Sequence, residues 1–310
     1  MVPRHYFTYF SGPVLNYMKN RIYLFIAFLL GWVNIIAQTS DPVELFPYQF
    51  KGHINQLFSG NRKNYTYDSS LMVACSLNDL NYTLGAIFPV YLKNYGNGMS
   101  SGISLRGTGS NHTALNWNGI NLNSPTLGSA MLNSGLTFLT DQIAVIPGAG
   151  SATSGSGAIG GSVELTDQLN VSKSKNNSLQ LTGGAGNYNT RQLAGTYQFS
   201  KSTQTHQLKS VYLGSYNNFP YIYNGEVLNN PGADYASFHF KYNGLWILKH
   251  KASLSASVWY EQNNKGLQQG MGTVWNAQRM KESYWRSLLH YIYPVSGKLS
   301  WHSRFSVLRD

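Results

Sequence analysis

Glycines 155, 157 and 160 form a G-x-G-x-x-G spacing within "SGSGAIGG", residues 154–161. That spacing cradles a dinucleotide pyrophosphate when the turn joins a strand to a helix whose first N–H groups face the anion. Here Gly160 and Gly161 lead directly into "SVEL", which reads as a strand, and no amphipathic helix follows. Glu164 and Asp167 also fall far short of the roughly 20-residue spacing at which such a fold places its ribose-binding acid. Nucleotide chemistry is therefore excluded. The glycines read instead as tight turns and close backbone approach between short strands. Other reactive constellations are poor. The 8 histidines are scattered, and the serines of "GMSSG" and "SATSGSG" lack a nucleophile elbow. Glu226 and Asp234 could touch calcium, but two carboxylates are few for such a site. Cys75 is the only cysteine, so no intrachain disulfide or cysteine metal framework exists. With no nucleophile, base and orienting group together, neither catalysis nor a cofactor is expected.

The elements that carry these residues read as β structure. Of the 310 residues only 11% are charged, against roughly 25% in soluble domains. There are 22 Tyr, 14 Phe, 7 Trp and 31 Gly, a composition that suits alternating strands joined by wet turns. The formal charge of +11 invites a nucleic-acid reading, yet Lys and Arg are scattered rather than clustered, and no nucleic-acid partner is expected. From Met18, "MKNRIYLFIAFLLGWVNIIAQTS" has the basic start, short apolar run and small residue of a secretory signal peptide. Residues 1–37 are accordingly an upstream extension plus signal peptide, with Met18 expected as the true start. Residues 38–67 read as a flexible leader without helical or strand period. Residues 68–168 are short apolar pieces punctuated by Gly, Asn and Ser. There "GISLRG", "TALNWNG" and "QIAVIPG" predict short strands.

Residues 169–310 carry a period of two. Leu254, Ala256, Val258 and Tyr260 alternate with Ser253, Ser255, Ser257 and Glu261, and only Trp259 breaks the polar set. Ala236, Phe238, Phe240 and Tyr242 likewise alternate with Ser237, His239, Lys241 and Asn243, placing one class on each face of a strand. Strands are predicted near 177–186, 189–200, 205–217, 234–248, 250–263, 280–294 and 297–308. They are long beside the usual ~5–6 residues and suit the ~9–11 needed to cross a membrane at a tilt. Short connections alternate with long ones, as in outer-membrane barrels. A soluble β-sandwich also alternates and stays open on pattern alone.

Read with its neighbours, the glycine run resembles the plug domain of TonB-dependent outer-membrane receptors. The resemblance rests on "SSGISLRGTGSNHTALNWNGINLNSPTLG" (100–128) and "DQIAVIPGAGSATSGSGAIGGSVEL" (141–165). It includes the Arg106-Gly107 turn and the G-x-G-S-x-x-x-G-x-x-A-x-G-G run from Gly148 to Gly161. The first of these stretches is most similar to vitamin B12-type receptors of Bacteroidetes-like bacteria. The resemblance implies a mixed α+β plug followed by antiparallel transmembrane strands, seven of the ~22 that close such barrels. It implies active transport of a scarce nutrient, a corrinoid or alternatively an iron chelate, with no bond-making chemistry. It further implies TonB, outer-membrane lipids and a substrate-capturing surface lipoprotein as partners. The segment for TonB to grip is placed at Asp41, Pro42, Val43, Glu44 and Leu45. Substrate contact is placed at Tyr95, Asn97, Asn111, His112, Trp117, Asn118 and Asn121, because Asn both donates and accepts while Trp offers a flat apolar face. Arg106 is expected to reach the barrel. Because "RFSVLRD" stops mid-pattern, the chain resembles the first part of a receptor, and a non-transporting plug-like protein is a third reading.

Overall fold

The computed structural model describes residues 65–67, 80–88, 90–94, 98, 101–130, 136–148, 154–172, 175–230, 232–267, 278–297 and 299–309. The signal-peptide run, Asp41–Leu45, Tyr95 and Asn97 lie outside the described residues.

A small N-terminal domain contains β1 (Tyr65–Tyr67), α1 (Leu80–Ile87), β2 (Tyr91–Asn94), β3 (Ser101–Ser104), β4 (Thr113–Trp117), β5 (Ile120–Asn121), α2 (Leu136–Leu139), β6 (Gln142–Pro147) and β7 (Gly161–Thr166). Its main sheet runs β1-β6-β7-β4-β5, while β2 and β3 form a separate hairpin. β7 lies antiparallel to β6 and parallel to β4, so the Thr113 and Gly161 ends of those two strands lie side by side. Central strands covered on both faces can be apolar throughout. Accordingly Ala114, Leu115, Trp117, Val163 and Leu165 are all buried, with Leu80, Leu84, Ile103 and Leu139 packed into the same core. Tyr65–Tyr67, expected to belong to the irregular leader, instead pairs with Ile143–Val145 as the sheet's edge. Three residues are too few to show a period.

The remaining strands are β8 (Asn176–Gly186), β9 (Thr190–Lys201), β10 (Gln204–Ser215), β11 (Pro220–Tyr223), β12 (Glu226–Asn229), β13 (Tyr235–Ile247), β14 (Ser253–Gly266), β15 (Arg279–Ser296) and β16 (Leu299–Arg309). Seven of them form one antiparallel sheet in the order β16-β15-β14-β13-β10-β9-β8, with β11 and β12 as a separate hairpin. The seven lie where the alternating pattern predicts them. Connections 202–203, 248–252 and 297–298 share one rim and are short. Connections 187–189, 216–234 and 267–278 share the other, so the first of these is short although it lies on the long-loop rim.

The polarity of this sheet separates the two readings left open by the sequence. The buried face of this sheet carries the charged residues Lys209, His239, Lys241, Glu261 and Arg286, interspersed with Val211, Leu213, Leu245, Trp259 and Leu288. The residues exposed on the outer face include Leu193, Tyr197, Leu208, Tyr212, Phe238, Phe240, Trp285, Leu289, Trp301 and Phe305. A sandwich buries its apolar set between sheets. A membrane barrel faces it toward lipid. Here the large apolar side chains are concentrated on the face turned away from the small domain, the polarity that a barrel wall has.

Candidate functional site: the junction between the two sheets

Two inward lysines hold the small domain. Lys241, at the middle of β13, donates to Asp167 Oδ1 at 2.6 Å and to the Leu139 carbonyl at 3.1 Å. The other oxygen of Asp167 accepts from Trp117 Nε1 at 2.8 Å and Asn118 Nδ2 at 2.9 Å. The Asp167 backbone N–H in turn donates to Asn118 Oδ1 at 2.9 Å. Lys209 is the direct register partner of Lys241. It reaches Asp141 at 2.5 Å and the Phe138 carbonyl at 3.3 Å. The terminal carbonyls of α2 and the carboxylates flanking β6 and β7 thus meet a matched pair of cations. Burial of an ammonium is tolerable only with such compensation. The Lys241 ammonium also lies 5.0 Å from the Trp117 ring centroid and 5.3 Å from that of Trp259, within cation–π range. Those two indoles meet edge to face at 5.4 Å.

Beside this junction the large sheet satisfies its own charges. Glu261 accepts from Arg286 at 3.0 Å and from Asn263 at 2.7 Å. The Arg286 guanidinium lies 4.3 Å from the Trp259 ring and 4.9 Å from the Tyr284 ring. Lys209, Lys241, Lys265 and Arg286 are thus buried cations committed to carboxylate partners.

The glycine run behaves as turns and close contacts. Gly155 and Gly157 adopt φ of 81° and 83°, the left-handed region that favours glycine. Gly160 donates to the His112 carbonyl at 2.8 Å and accepts from Gly148 N–H at 2.7 Å, stitching three segments together. A Cβ on Gly161 would come within 2.5 Å of the Ile146 carbonyl. Arg106 and Gly107 form a left-handed turn at φ 54° and 73°. The Arg106 guanidinium sits beside Gly148 of the same domain.

The residues expected to contact a ligand divide into two groups. Asn111 is exposed, and His112 and Asn121 are half-buried near the 154–160 turn. Asn121 donates to the Ser156 carbonyl at 2.7 Å. Trp117, at 0% exposure, and Asn118 bond Asp167 at the far end of β4 from Asn111 and His112. Asn123, which the sequence reading passes over, bonds the Leu115 N–H at 2.9 Å and the Thr113 and Gly128 carbonyls at 3.1 and 3.0 Å. Asp234, weighed above for calcium, pairs with Arg279 at 2.8 Å. Among the described residues no group of three or more His, Cys, Asp or Glu could hold a metal ion. The junction residues Asp141, Asp167, Lys209 and Arg286 were also passed over. Their signal is a charge at a polar position of a long strand, or just beyond a short one, in a chain with few charges.

Residues 73–162 match the family described as the TonB-dependent receptor plug domain. The chain therefore carries a plug, and its large sheet takes the form of part of such a receptor's barrel wall. Among curated proteins, 70 residues (23% of this chain and 11% of that protein) are 43% identical to a vitamin B12 transporter, BtuB, of Vibrio vulnificus. Among solved structures, the copper transporter OprC superposes with a TM-score of 0.64 at 13% identity, covering 78% of this chain and 36% of its own. The FrpB iron transporter from Neisseria meningitidis gives 0.64 at 14% identity, with coverage of 80% and 40%. The siderophore receptor PiuA from Acinetobacter baumannii gives 0.60 at 16%, with coverage of 79% and 36%. The chain thus spans well under half the length of these receptors.

Proposed function

We propose that this chain supplies the plug and first wall strands of a TonB-dependent transporter of the outer membrane, exported by its residues 18–37, and that the substrate is a corrinoid of the vitamin B12 type. The observation that carries the transport reading is the junction: a plug held by Lys209 and Lys241 inside a sheet whose outer face is apolar. Such a sheet suits lipid outside and a polar plug inside. The rim with the longer connections then faces the exterior. Asn111, His112 and Asn121, with Tyr95 and Asn97, contact the substrate, and Asp41–Leu45 engages TonB. Trp117 and Asn118 are committed to Asp167 and are removed from the contact set. The corrinoid assignment is supported by the 43% identity to the vitamin B12 transporter. An iron chelate is the second reading, favoured by the fold similarity to iron and siderophore receptors. A surface lipoprotein that captures substrate completes the assembly.

The test places the full natural reading frame containing this chain in cells lacking their own vitamin B12 receptor. Accumulation of radiolabelled cyanocobalamin is expected, abolished by loss of TonB or deletion of residues 41–45. Uptake of a ferric siderophore without cobalamin binding moves the assignment to the second reading. Uptake of neither removes transport.

A further inference from the structure

Cations that are scattered along the sequence meet at one rim of the large sheet. The rim with the short connections carries Lys175 just before β8, Lys201 at the end of β9, and Lys249, His250 and Lys251 in the 248–252 turn, all exposed. Asn176 pairs with Ser200, so the same register sets Lys175 opposite Lys201. The Ile247 N–H bonds the Thr203 carbonyl at 2.7 Å, which holds the 202–203 and 248–252 turns side by side. Among the described residues none of these lysines has a carboxylate within ion-pair distance. Residues 168–178, 195–210, 243–258 and 288–304, which bound this rim, contain no Asp or Glu. Toward the opposite rim the charges are matched: Asp234 pairs with Arg279 at 2.8 Å and Glu282 with Lys265 at 3.3 Å. Like charges gathered without a counter-charge repel one another, and an external anion offsets that cost.

The neighbouring surface indicates which anion. Ala194 and its partner Val211 are buried on the inner face, so the alternation puts Phe199 and Lys201 on the outer one. Gln204 pairs with Lys201 on one side and with Trp246 on the other, placing cation and indole in one cross-strand row. In the next outward row His206 Nδ1 lies 2.8 Å from Tyr242 Oη. The His206 ring stands 5.3 Å from Trp246 and 6.0 Å from Phe199. Trp and Tyr with an apolar body and a polar tip favour headgroup depth. Lysines at the rim, then aromatic rings, then the apolar outer face form one continuous gradient.

We propose that this rim is a binding surface for anionic phospholipids, whose phosphates meet Lys175, Lys201, Lys249 and Lys251 while their glycerol and upper acyl segments pack on Phe199, Tyr242 and Trp246. A soluble anion or a cell-wall carboxylate uses only the lysines, whereas a charged diacyl lipid uses both parts of the gradient. The inference rests on the transporter reading above, which turns the outer face toward lipid. It adds a headgroup preference and assigns it to the rim opposite the longer connections.

The intact receptor is reconstituted into vesicles of equal parts phosphatidylglycerol and phosphatidylcholine, re-extracted in mild detergent, and its retained lipid identified by native mass spectrometry. Retained phosphatidylglycerol is expected to exceed phosphatidylcholine about fivefold at low salt and to fall toward parity near about 0.5 M salt. Replacing Lys175, Lys201, Lys249 and Lys251 together by Gln should bring the ratio within about twofold of parity. Arg191→Gln with Lys281→Gln removes two exposed cations elsewhere on the sheet and should leave the preference unchanged. If the fourfold variant does not fold, Lys201→Gln and Lys249→Gln singly should each lower the ratio. Parity in the unaltered receptor, or a preference that survives the lysine substitutions, overturns the proposal. Lysine-dependent sedimentation with isolated peptidoglycan, without a phosphatidylglycerol preference, moves the rim to the cell wall and overturns it equally. A receptor that inserts fully but shows no preference sinks the rim alone. One that enters no vesicle sinks the transporter reading, and the rim with it.

Discussion

Asp167 ties several elements together. It receives an ammonium, an indole N–H and a carboxamide, and its own N–H is bonded back to Asn118. Removing one member of such a buried pair leaves an uncompensated charge, a loss of about 3–5 kcal/mol. Lys241→Met should therefore loosen the plug by about that amount, whereas Lys241→Met with Asp167→Asn should recover most of it. A double-mutant cycle on plug release in denaturant, read by protease cleavage, gives the coupling. Near-additive losses would mean that the pair contributes little. Trp259 is a second single-residue test. It is 1% exposed and is the one apolar intruder in the polar alternation of β14. Its position is explained by Trp117, against which it packs edge to face at 5.4 Å. Trp259→Ala should cost about 3–5 kcal/mol, like other large core truncations, although it sits on a nominally polar face. A Trp259→Ala protein with an unchanged unfolding midpoint would place that indole outside the core.

At the scale of elements, turns decide how the plug's short strands approach. Gly107 and Gly161 make a controlled comparison. An added Cβ at Gly107 meets nothing within 4 Å, so Gly107→Ala should cost only the left-handed backbone penalty of about 1–2 kcal/mol. At Gly161 the same atom would lie 2.5 Å from the Ile146 carbonyl and 3.0 Å from Pro147 Cα. Gly161→Ala should prise β6 from β7 and cost clearly more than Gly107→Ala, measured on thermal unfolding of the intact protein. Equal costs would show that the β6–β7 contact yields freely. Strand positions in the large sheet, and the role of the glycine run, were legible because alternation and turn chemistry are local. The junction was not. Asp141 and Asp167 lie one residue outside their strands, and Lys209 and Lys241 look like any polar member of a period-two pattern. Only the packing of one sheet inside the other brings these four together. The bonds of Trp117 and Asn118 to Asp167 were equally hidden. As text these two residues belong to an Asn-rich turn, but β4 delivers them to the end of the strand that meets β13.

For the molecule as a whole, the decisive physical fact is the inverted polarity of the large sheet. Phe240 stands at the middle of β13 on the outer face, opposite Ser210 of β10 and Tyr260 of β14. Its sequence neighbour Lys241 is buried on the inner face. Alternation alone fixes two classes of side chain but not which class faces in. The lysine–carboxylate junction supplies that sign, because an ammonium bonded to Asp167 must point toward the plug. If lipid covers the outer face, a cation there is expensive in proportion to depth, about 2–4 kcal/mol near the midplane. In water the same substitution replaces exposed apolar surface with charge and costs little, within about 0.5 kcal/mol. Phe240→Arg in the intact receptor should therefore reduce the folded, membrane-inserted fraction, read as the heat-modifiable species recovered from outer-membrane preparations. Ser210→Thr, a mild change on the same face, should leave that fraction unaltered. If Phe240→Arg accumulates as an equally folded species outside the membrane, the outer face is a water-facing surface. The apolar belt of Leu193, Tyr197, Leu208, Phe238 and Phe305 would then require another cover. Loss of insertion with the plug's protease resistance intact would tie the defect to lipid contact, since the junction on the inner face is untouched by the substitution.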